Sequence, residues 1–163
     1  MTEETEVAFE LIEAEEVAAK DVVAEREEAL AKQLAEMRKR KRALVDPLQF
    51  EMSIQAEDLA DYVPAFGWEQ SPPSDKQLEA LEKFGIYTDD IGNAGKATKL
   101  LERLVKRRET GLTTPKQIRT LERYGFKNVG MWKFEVASNM INRIAASGWR
   151  LPKGINAREY QPE

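Results

Sequence analysis

An all-α chain is what the sequence predicts, and three observations predict it. Ala, Glu, Lys, Arg and Leu, all strong helix formers, dominate the first 45 residues, which have neither Gly nor Pro. An internal repeat with a period of 40 residues fills the second half, and each copy reads as a helical hairpin. The charged fraction is 33%, a density that suits solvated helices better than a β-sandwich. At 163 residues there is room for one ordinary domain, or a small domain with an extension.

The first element is a long helix over residues 7–45, inside a first segment of residues 1–45. Val23, Leu30, Met37 and Leu44 recur every seven residues, with Leu34 in the complementary position. Glu27 and Lys41 interrupt that seam, so the pattern fits a charged helix better than a coiled coil. The helix runs from an acidic start to Arg38-Lys39-Arg40-Lys41-Arg42. That polarity complements the helix dipole, so the basic run has a structural reading beside a nucleic-acid one.

Asp46-Pro47 ends the helix, because proline lacks the N–H and restricts its predecessor. Residues 46–73 read as a connector. A short helical segment offers Leu48, Phe50, Met52, Ile54 and Leu59 for burial. An extended linker from Val63 to Pro73 then carries Phe66 and Trp68, expected to plug a neighbouring apolar surface.

Residues 74–163 form the repeat domain, with copies at about 74–110 and 114–150. Ser74-Asp75-Lys76-Gln77-Leu78 matches Thr114-Pro115-Lys116-Gln117-Ile118, and the register holds through Leu81 with Leu121, Gly85 with Gly125, Ala97 with Ala137 and Leu104 with Ile144. Ser74 and Thr114 are N-cap types, and Pro115 suits the first helical position. Gly85 and Gly125 fit left-handed caps, with Ile86 and Phe126 folding back. Second helices start near Asn93 and Phe134. The two hairpins should pack as one small bundle, Trp132 and Trp149 serving its core or caps. The tail from Gly148 should run back extended across it.

Composition closes several functional classes. The chain has no Cys and no His, so disulfides, zinc ribbons, thiol nucleophiles and imidazole bases are absent. No run of 18 apolar residues suggests a membrane span, and the acidic start lacks the form of a secretory signal. A cytoplasmic protein with no membrane role is the expectation. Gly92-Asn93-Ala94-Gly95-Lys96-Ala97-Thr98 imitates a phosphate loop. Asp90 stands where its first glycine belongs, however, and Ala97 where its hydroxyl belongs. Asp89-Asp90 and Asp58 with Asp61 read as solvated caps and helix faces. The chain is therefore read as no enzyme, with no catalytic residue, no metal, no cofactor and no small-molecule substrate.

Charge is distributed unevenly. The net charge of −4 conceals 12 acidic against 3 basic residues from Met1 to Glu36, and 15 basic against 9 acidic from Ser74 to Arg150. The first hairpin offers Lys96, Lys99, Arg103, Lys106, Arg107 and Arg108, and the second Lys116, Arg119, Arg123, Lys127, Lys133 and Arg143. Lys76 and Lys116 stand beside free N–H groups at helix starts, a setting that attracts phosphate. Gln77 and Gln117 either add a neutral phosphate contact or cap and bridge their own helices. The candidate nucleic-acid contacts are Lys76, Gln77, Lys96, Lys99, Arg103, Arg107, Arg108, Lys116, Gln117, Arg119, Arg123, Lys127 and Arg143. Arg38, Lys39, Arg40, Lys41 and Arg42 form a secondary basic cluster.

From about Val45 onward the chain resembles the C-terminal accessory region of phage and bacterial superfamily-two (DEAD/DEAH-type) helicases. The likeness rests on Val45-Asp46-Pro47-Leu48, Phe66-Gly67-Trp68-Glu69, Pro72-Pro73-Ser74-Asp75-Lys76-Gln77-Leu78, Ala94-Gly95-Lys96-Ala97, Gly111-Leu112-Thr113-Thr114-Pro115-Lys116-Gln117-Ile118-Arg119 and Ala145-Ala146-Ser147-Gly148-Trp149-Arg150. The resemblance implies a helical module that follows two motor domains. The phosphate loop, the Asp-Glu metal box and the arginine finger are missing. The expected role is a non-catalytic nucleic-acid-binding module, or a small subunit of a nucleoprotein complex, contacting the backbone of DNA rather than RNA. The competing expectation is a protein-interaction adaptor that docks through the N-terminal helix or the aromatic linker.

Overall fold

The computed structural model describes residues 3–162. Helix dominates and no strand forms among the described residues, so the chain is all-α. No helix among these residues is long and apolar enough to cross a membrane. The chain separates into two compact units, one ending at Arg40 and the other starting at Lys41.

The first unit is a single helix, α1 (Glu3–Ala43), whose last three residues belong to the second unit. At 1.5 Å per residue it spans about 60 Å. Its apolar residues are spread around the axis rather than gathered on one face. Val23, Leu30, Leu34 and Met37, the seam suggested by the heptad spacing, are all exposed. The helix ends two residues before the predicted point because Val45 is drawn into a long-range bridge. Its N–H donates to the Gly85 carbonyl at 2.7 Å, and its own carbonyl accepts from the Tyr87 N–H at 2.7 Å. Asp46 then caps the next helix and Pro47 opens it.

In the second unit, α2 (Pro47–Ser53), α3 (Glu57–Ala60) and α4 (Gly67–Gln70) precede four longer helices: α5 (Asp75–Lys83), α6 (Ala94–Glu109), α7 (Pro115–Arg123) and α8 (Phe134–Ala146). A 3₁₀ turn at Val129–Met131 lies between the last two. Helix α5 packs on α6, and α7 on α8. The connector is no loose linker, since α2 lies on α7 while α3 and α4 lie on α6. Phe50, Ile54 and Leu59 enter the core with Leu81, Leu100, Leu121 and Met140. Each such side chain contributes roughly 1.5–3 kcal/mol by leaving water.

Several sequence expectations are corrected here. Leu48 and Met52 are exposed, because only one face of α2 meets α7. Residues 63–73 are interrupted by α4, and Phe66 and Trp68 stay 66% and 58% exposed, so neither plugs a surface within this chain. Trp132 is buried at 4% exposure, but Trp149 is 60% exposed. It follows the left-handed Gly148 and is itself left-handed at φ 61°, which turns it away from the core. The tail does return: Tyr160 stands 5.5 Å from Phe126 and 5.4 Å from Trp132, and Ala157 is buried.

Helix boundaries follow from local chemistry. The Ser74 and Thr114 side chains each accept from the N–H of the third helical residue, while Gln77 and Gln117 return bonds to the Ser74 and Thr114 N–H groups. Gly85 and Gly125 close α5 and α7 at φ +90° and +94°, where any residue with a Cβ is strained. The Gly85 and Gly125 N–H groups bond Glu82 and Glu122 carbonyls, and the N–H groups of Ile86 and Phe126 reach back to Leu81 and Leu121. Further bonds recur at the same offset. Ala94 N–H donates to the Ser71 carbonyl at 2.6 Å, and Phe134 N–H to that of Gly111 at 2.8 Å. Gln77 Nε2 donates to Thr98 Oγ1 at 2.9 Å, and Gln117 Nε2 to Ser138 Oγ at 2.9 Å.

Candidate functional site

The basic side chains nominated from the sequence divide into two groups. In the first, the side chains are engaged inside the protein. Lys96 forms an ion pair with the buried carboxylate of Glu51 at 2.7 Å and also donates to the Leu59 carbonyl. Arg103 pairs with Asp58 at 2.8 Å. Arg119 donates to the Leu44 carbonyl at 2.9 Å, and its pKa lies below the ordinary arginine value through burial and then proximity to Arg123. Gln77 and Gln117 use both ends of their carboxamides on the caps and on Thr98, Ser138 and the Phe134 carbonyl. The alternative in which the glutamines cap and bridge is the one their geometry serves.

In the second group the side chains face outward. Lys76, Arg108, Lys116, Arg123, Lys127 and Arg143 are exposed, and Lys99 lies 4.5 Å above the Tyr62 ring. Within the secondary cluster Arg38, Lys39, Lys41 and Arg42 are exposed and Arg40 is half-buried. These five residues straddle the border between the two units.

A cleft of about 750 Å³ gathers part of the second group. It opens in the second unit, among the ends of α5 and α6 and the starts of α7 and α8. Five basic residues line it, Lys83, Arg107, Arg108, Lys116 and Lys133, against one acidic residue, Glu135. Phe84 and Phe134 add apolar walls. Two of the cations pack on their neighbours. The Arg108 guanidinium stands 5.3 Å above the Phe84 ring. The Lys116 stem lies over Gly85, so closely that a Cβ there would come within 3.2 Å of Lys116 Cγ. Gly85 thus serves both the helix cap and the approach of a cleft lysine.

Arg107 lies deepest, at 7% exposure. Its Nη2 donates to the Thr113 carbonyl and hydroxyl at 3.1 Å and to the Gly130 carbonyl at 2.8 Å, while its Nε–H has no partner. The guanidinium carbon is 5.8 Å from the Phe50 ring. Burial, and secondarily Arg103, pushes its pKa down to about 10. No carboxylate of the described residues forms an ion pair with it.

Of the nominated residues, then, Arg107, Arg108 and Lys116 come together. Lys76, Lys99, Arg123, Lys127 and Arg143 do not line the cleft. Lys83, Phe84 and Phe134 were missed as site residues, and Lys133 was counted only as part of the basic surface. The available signal was the dipeptide Lys-Phe at 83–84 and again at 133–134. These pairs do not align in the 40-residue register, so comparing positions at that offset does not reveal them. No group of three or more potential ligands converges to hold a metal ion among the described residues. The cleft can bind an anion, and it can shelter a flat apolar group beside that anion. No family model, no curated protein and no solved structure matches this chain.

Proposed function

We propose that residues 41–163 act as a non-catalytic nucleic-acid-binding module of the helicase-associated kind, contacting the phosphate backbone with little sequence preference. The carrying observation is the cleft with five cations and one carboxylate beside exposed Lys76, Arg123, Lys127 and Arg143. Cations in such excess attract a polyanion and release its counterions on binding. DNA is the favoured ligand, and the setting is a small subunit or accessory region of a cytoplasmic nucleoprotein complex. The recurring caps and the two glutamine–hydroxyl bonds support reading the module as a duplicated helical hairpin packed into one bundle.

Fluorescence anisotropy with labelled oligonucleotides over a series of salt concentrations tests the reading. Lys83, Arg108, Lys116 and Lys133 are replaced together by alanine, and Arg107 is left intact because its removal would orphan the carbonyls it joins. Affinity should fall alike for every sequence. The slope of log affinity against log salt should flatten by roughly 3, at about 0.7–0.9 per lost phosphate contact. Unchanged affinity and slope in the quadruple variant would remove the cleft from the assignment.

One observation favours a second reading, a protein-interaction adaptor. Phe66 and Trp68 are exposed within three residues of each other, an arrangement suited to anchoring a partner. A partner whose binding survives the quadruple variant and fails on Phe66→Ala with Trp68→Ala would establish it.

A further inference from the structure

The chemistry of the cleft narrows its ligand, and the narrowing rests on the nucleic-acid reading above. A surface that only tracks duplex phosphates needs cations and little else, since a duplex keeps its bases stacked and offers grooves and backbone. This cleft has more than cations. Phe134 leaves 45% of its surface exposed at the start of α8, and Phe84 lies under Arg108. A ring and a guanidinium 5.3 Å apart form a layered platform to which a flat base can add. The volume of about 750 Å³ is in the range that encloses a small organic group.

Arg107 supplies the complementary half. Its charge is buried, it is hydrogen-bonded through Nη2 to neutral oxygens, its Nε–H is unmatched, and no carboxylate of the described residues pairs with it. A buried cation without a counter-ion is costly, and an anion entering the cleft would offset that cost. Lys116 and Lys133, on the same lining, can hold the anion from the solvent side.

We infer that the cleft is a single-strand site, in which one backbone phosphate lies among Arg107, Lys116 and Lys133 and a neighbouring base stacks on the exposed Phe134 ring. Duplex DNA meets only the outer cations. Single-stranded DNA therefore binds more tightly than its duplex, with little dependence on base identity, because every base offers a flat face.

The full chain is titrated with a labelled oligothymidylate, with a hairpin duplex of equal phosphate number, and with an abasic strand of the same length. The thymidylate should bind about tenfold more tightly than the other two. Phe134→Ala should remove most of that difference by weakening thymidylate binding, and a tenfold preference that survives it overturns the site. Phe134 is exposed and opens its helix, so the variant should keep the parent's circular dichroism. A measurement on the unaltered chain adds a direct check: a strand carrying 5-iododeoxyuridine, irradiated in the complex, should cross-link to peptides containing Phe84 or Phe134. Equal affinity for all three probes, or cross-links only outside the cleft, overturns the single-strand site and leaves the phosphate-binding reading intact. No binding of any probe at low salt overturns both.

Discussion

Replacing Glu51 by leucine tests how the connector holds α6. Glu51 is 2% exposed, and its carboxylate lies 2.7 Å from Lys96 Nζ, a side chain with 18% of its surface in solvent. Removing the carboxylate leaves an almost buried ammonium with the Leu59 carbonyl as its remaining partner. Breaking a buried pair in this one-sided way costs about 3–5 kcal/mol. The residual exposure of Lys96 places the expected loss at the lower end, about 3 kcal/mol. Urea unfolding followed by the fluorescence of the buried Trp132 reads this as a midpoint lowered by about 2 M, for an m-value near 1.5 kcal/mol/M. Glu51→Leu combined with Lys96→Met replaces both charges by apolar groups of similar size. It should recover stability to within about 1 kcal/mol of the parent. A single variant within about 0.5 kcal/mol of the parent, or a double variant no better than the single, would refute the reasoning. The double variant also decides a functional point. If Lys96 is spent on Glu51, the variant binds oligonucleotides as the parent does.

Three further outcomes are expected. Gln117→Ala removes a cap bond and the bonds to Ser138 and the Phe134 carbonyl, and should cost about 1–2 kcal/mol by urea unfolding; Gln77→Ala, at a more exposed position, should cost less. Gly95→Ala sets a methyl 2.8 Å from Glu69 Cβ and against the Tyr62 hydroxyl. It should destabilise by about 1–3 kcal/mol through overpacking, and full stability would mean that α4 does not rest on α6 as described. The Tyr62 phenol, held by burial and then by its hydrogen bond to Glu69, has its pKa pushed up to about 12. The protonated form is therefore the one the fold favours, and its contribution stands below pH 10 and fades as pH rises toward 12. A tyrosine ionisation near pH 12 in ultraviolet titration should disappear in Tyr62→Phe. Glu69 shifts the opposite way, downward, chiefly through the Tyr62 bond, so its contribution is lost as pH falls below the ordinary carboxylate range.

Local chemistry was legible in the sequence, and long-range pairing was not. Ser74, Thr114, Pro115, Gly85 and Gly125 mark helix ends because capping is decided within a few residues, and those ends fall where the residues put them. The end of α1 moved because Val45 bonds to Gly85 and Tyr87, about 40 residues away, which no local rule reports. The connector was misread for a similar reason. The proline and aromatic content of residues 63–73 suggested an extended linker, whereas Glu69 there is held by Tyr62 within the connector, and Glu51 and Asp58 before it pair with Lys96 and Arg103 farther along the chain. Trp68 and Trp149 show the limit of arguing burial from residue type. A tryptophan is an expensive group to leave in water, yet its φ, its neighbours and the size of the available core decide where it goes. Among the site residues, the sequence could name cations but not their orientation. Arg107 and Arg108 are adjacent, and one is buried while the other is exposed.

That divergence of neighbouring charges explains why the open basic surface gathers where it does. Helix α6 carries Lys96, Lys99 and Arg103, and the connector meets each of them: Glu51 pairs with Lys96, Asp58 with Arg103, and the Tyr62 ring lies under Lys99. At the corresponding positions of α8, 40 residues on, stand Val136, Asn139 and Arg143, so there is less charge for a connector to neutralise. The connector also meets α7 through α2, leaving the starts of α7 and α8 facing the cleft with Lys116 and Lys133. Its carboxylates thus act as internal counter-ions for the two α6 cations they reach, Lys96 and Arg103. At the cleft that role is left to Glu135 alone, against five cations. If this division is correct, charge reversal at the two places must differ in kind. Asp58→Lys should free Arg103 and add positive surface, raising affinity for a polyanion severalfold at low salt with little loss of stability, since the Asp58 side chain is 60% exposed and its pairing is screened by solvent. Lys116→Glu should lower affinity by tenfold or more and leave the urea midpoint in place. Equal effects of the two substitutions on binding, or a shared loss of stability, would mean that the connector does not separate a neutralised face of α6 from an open cleft.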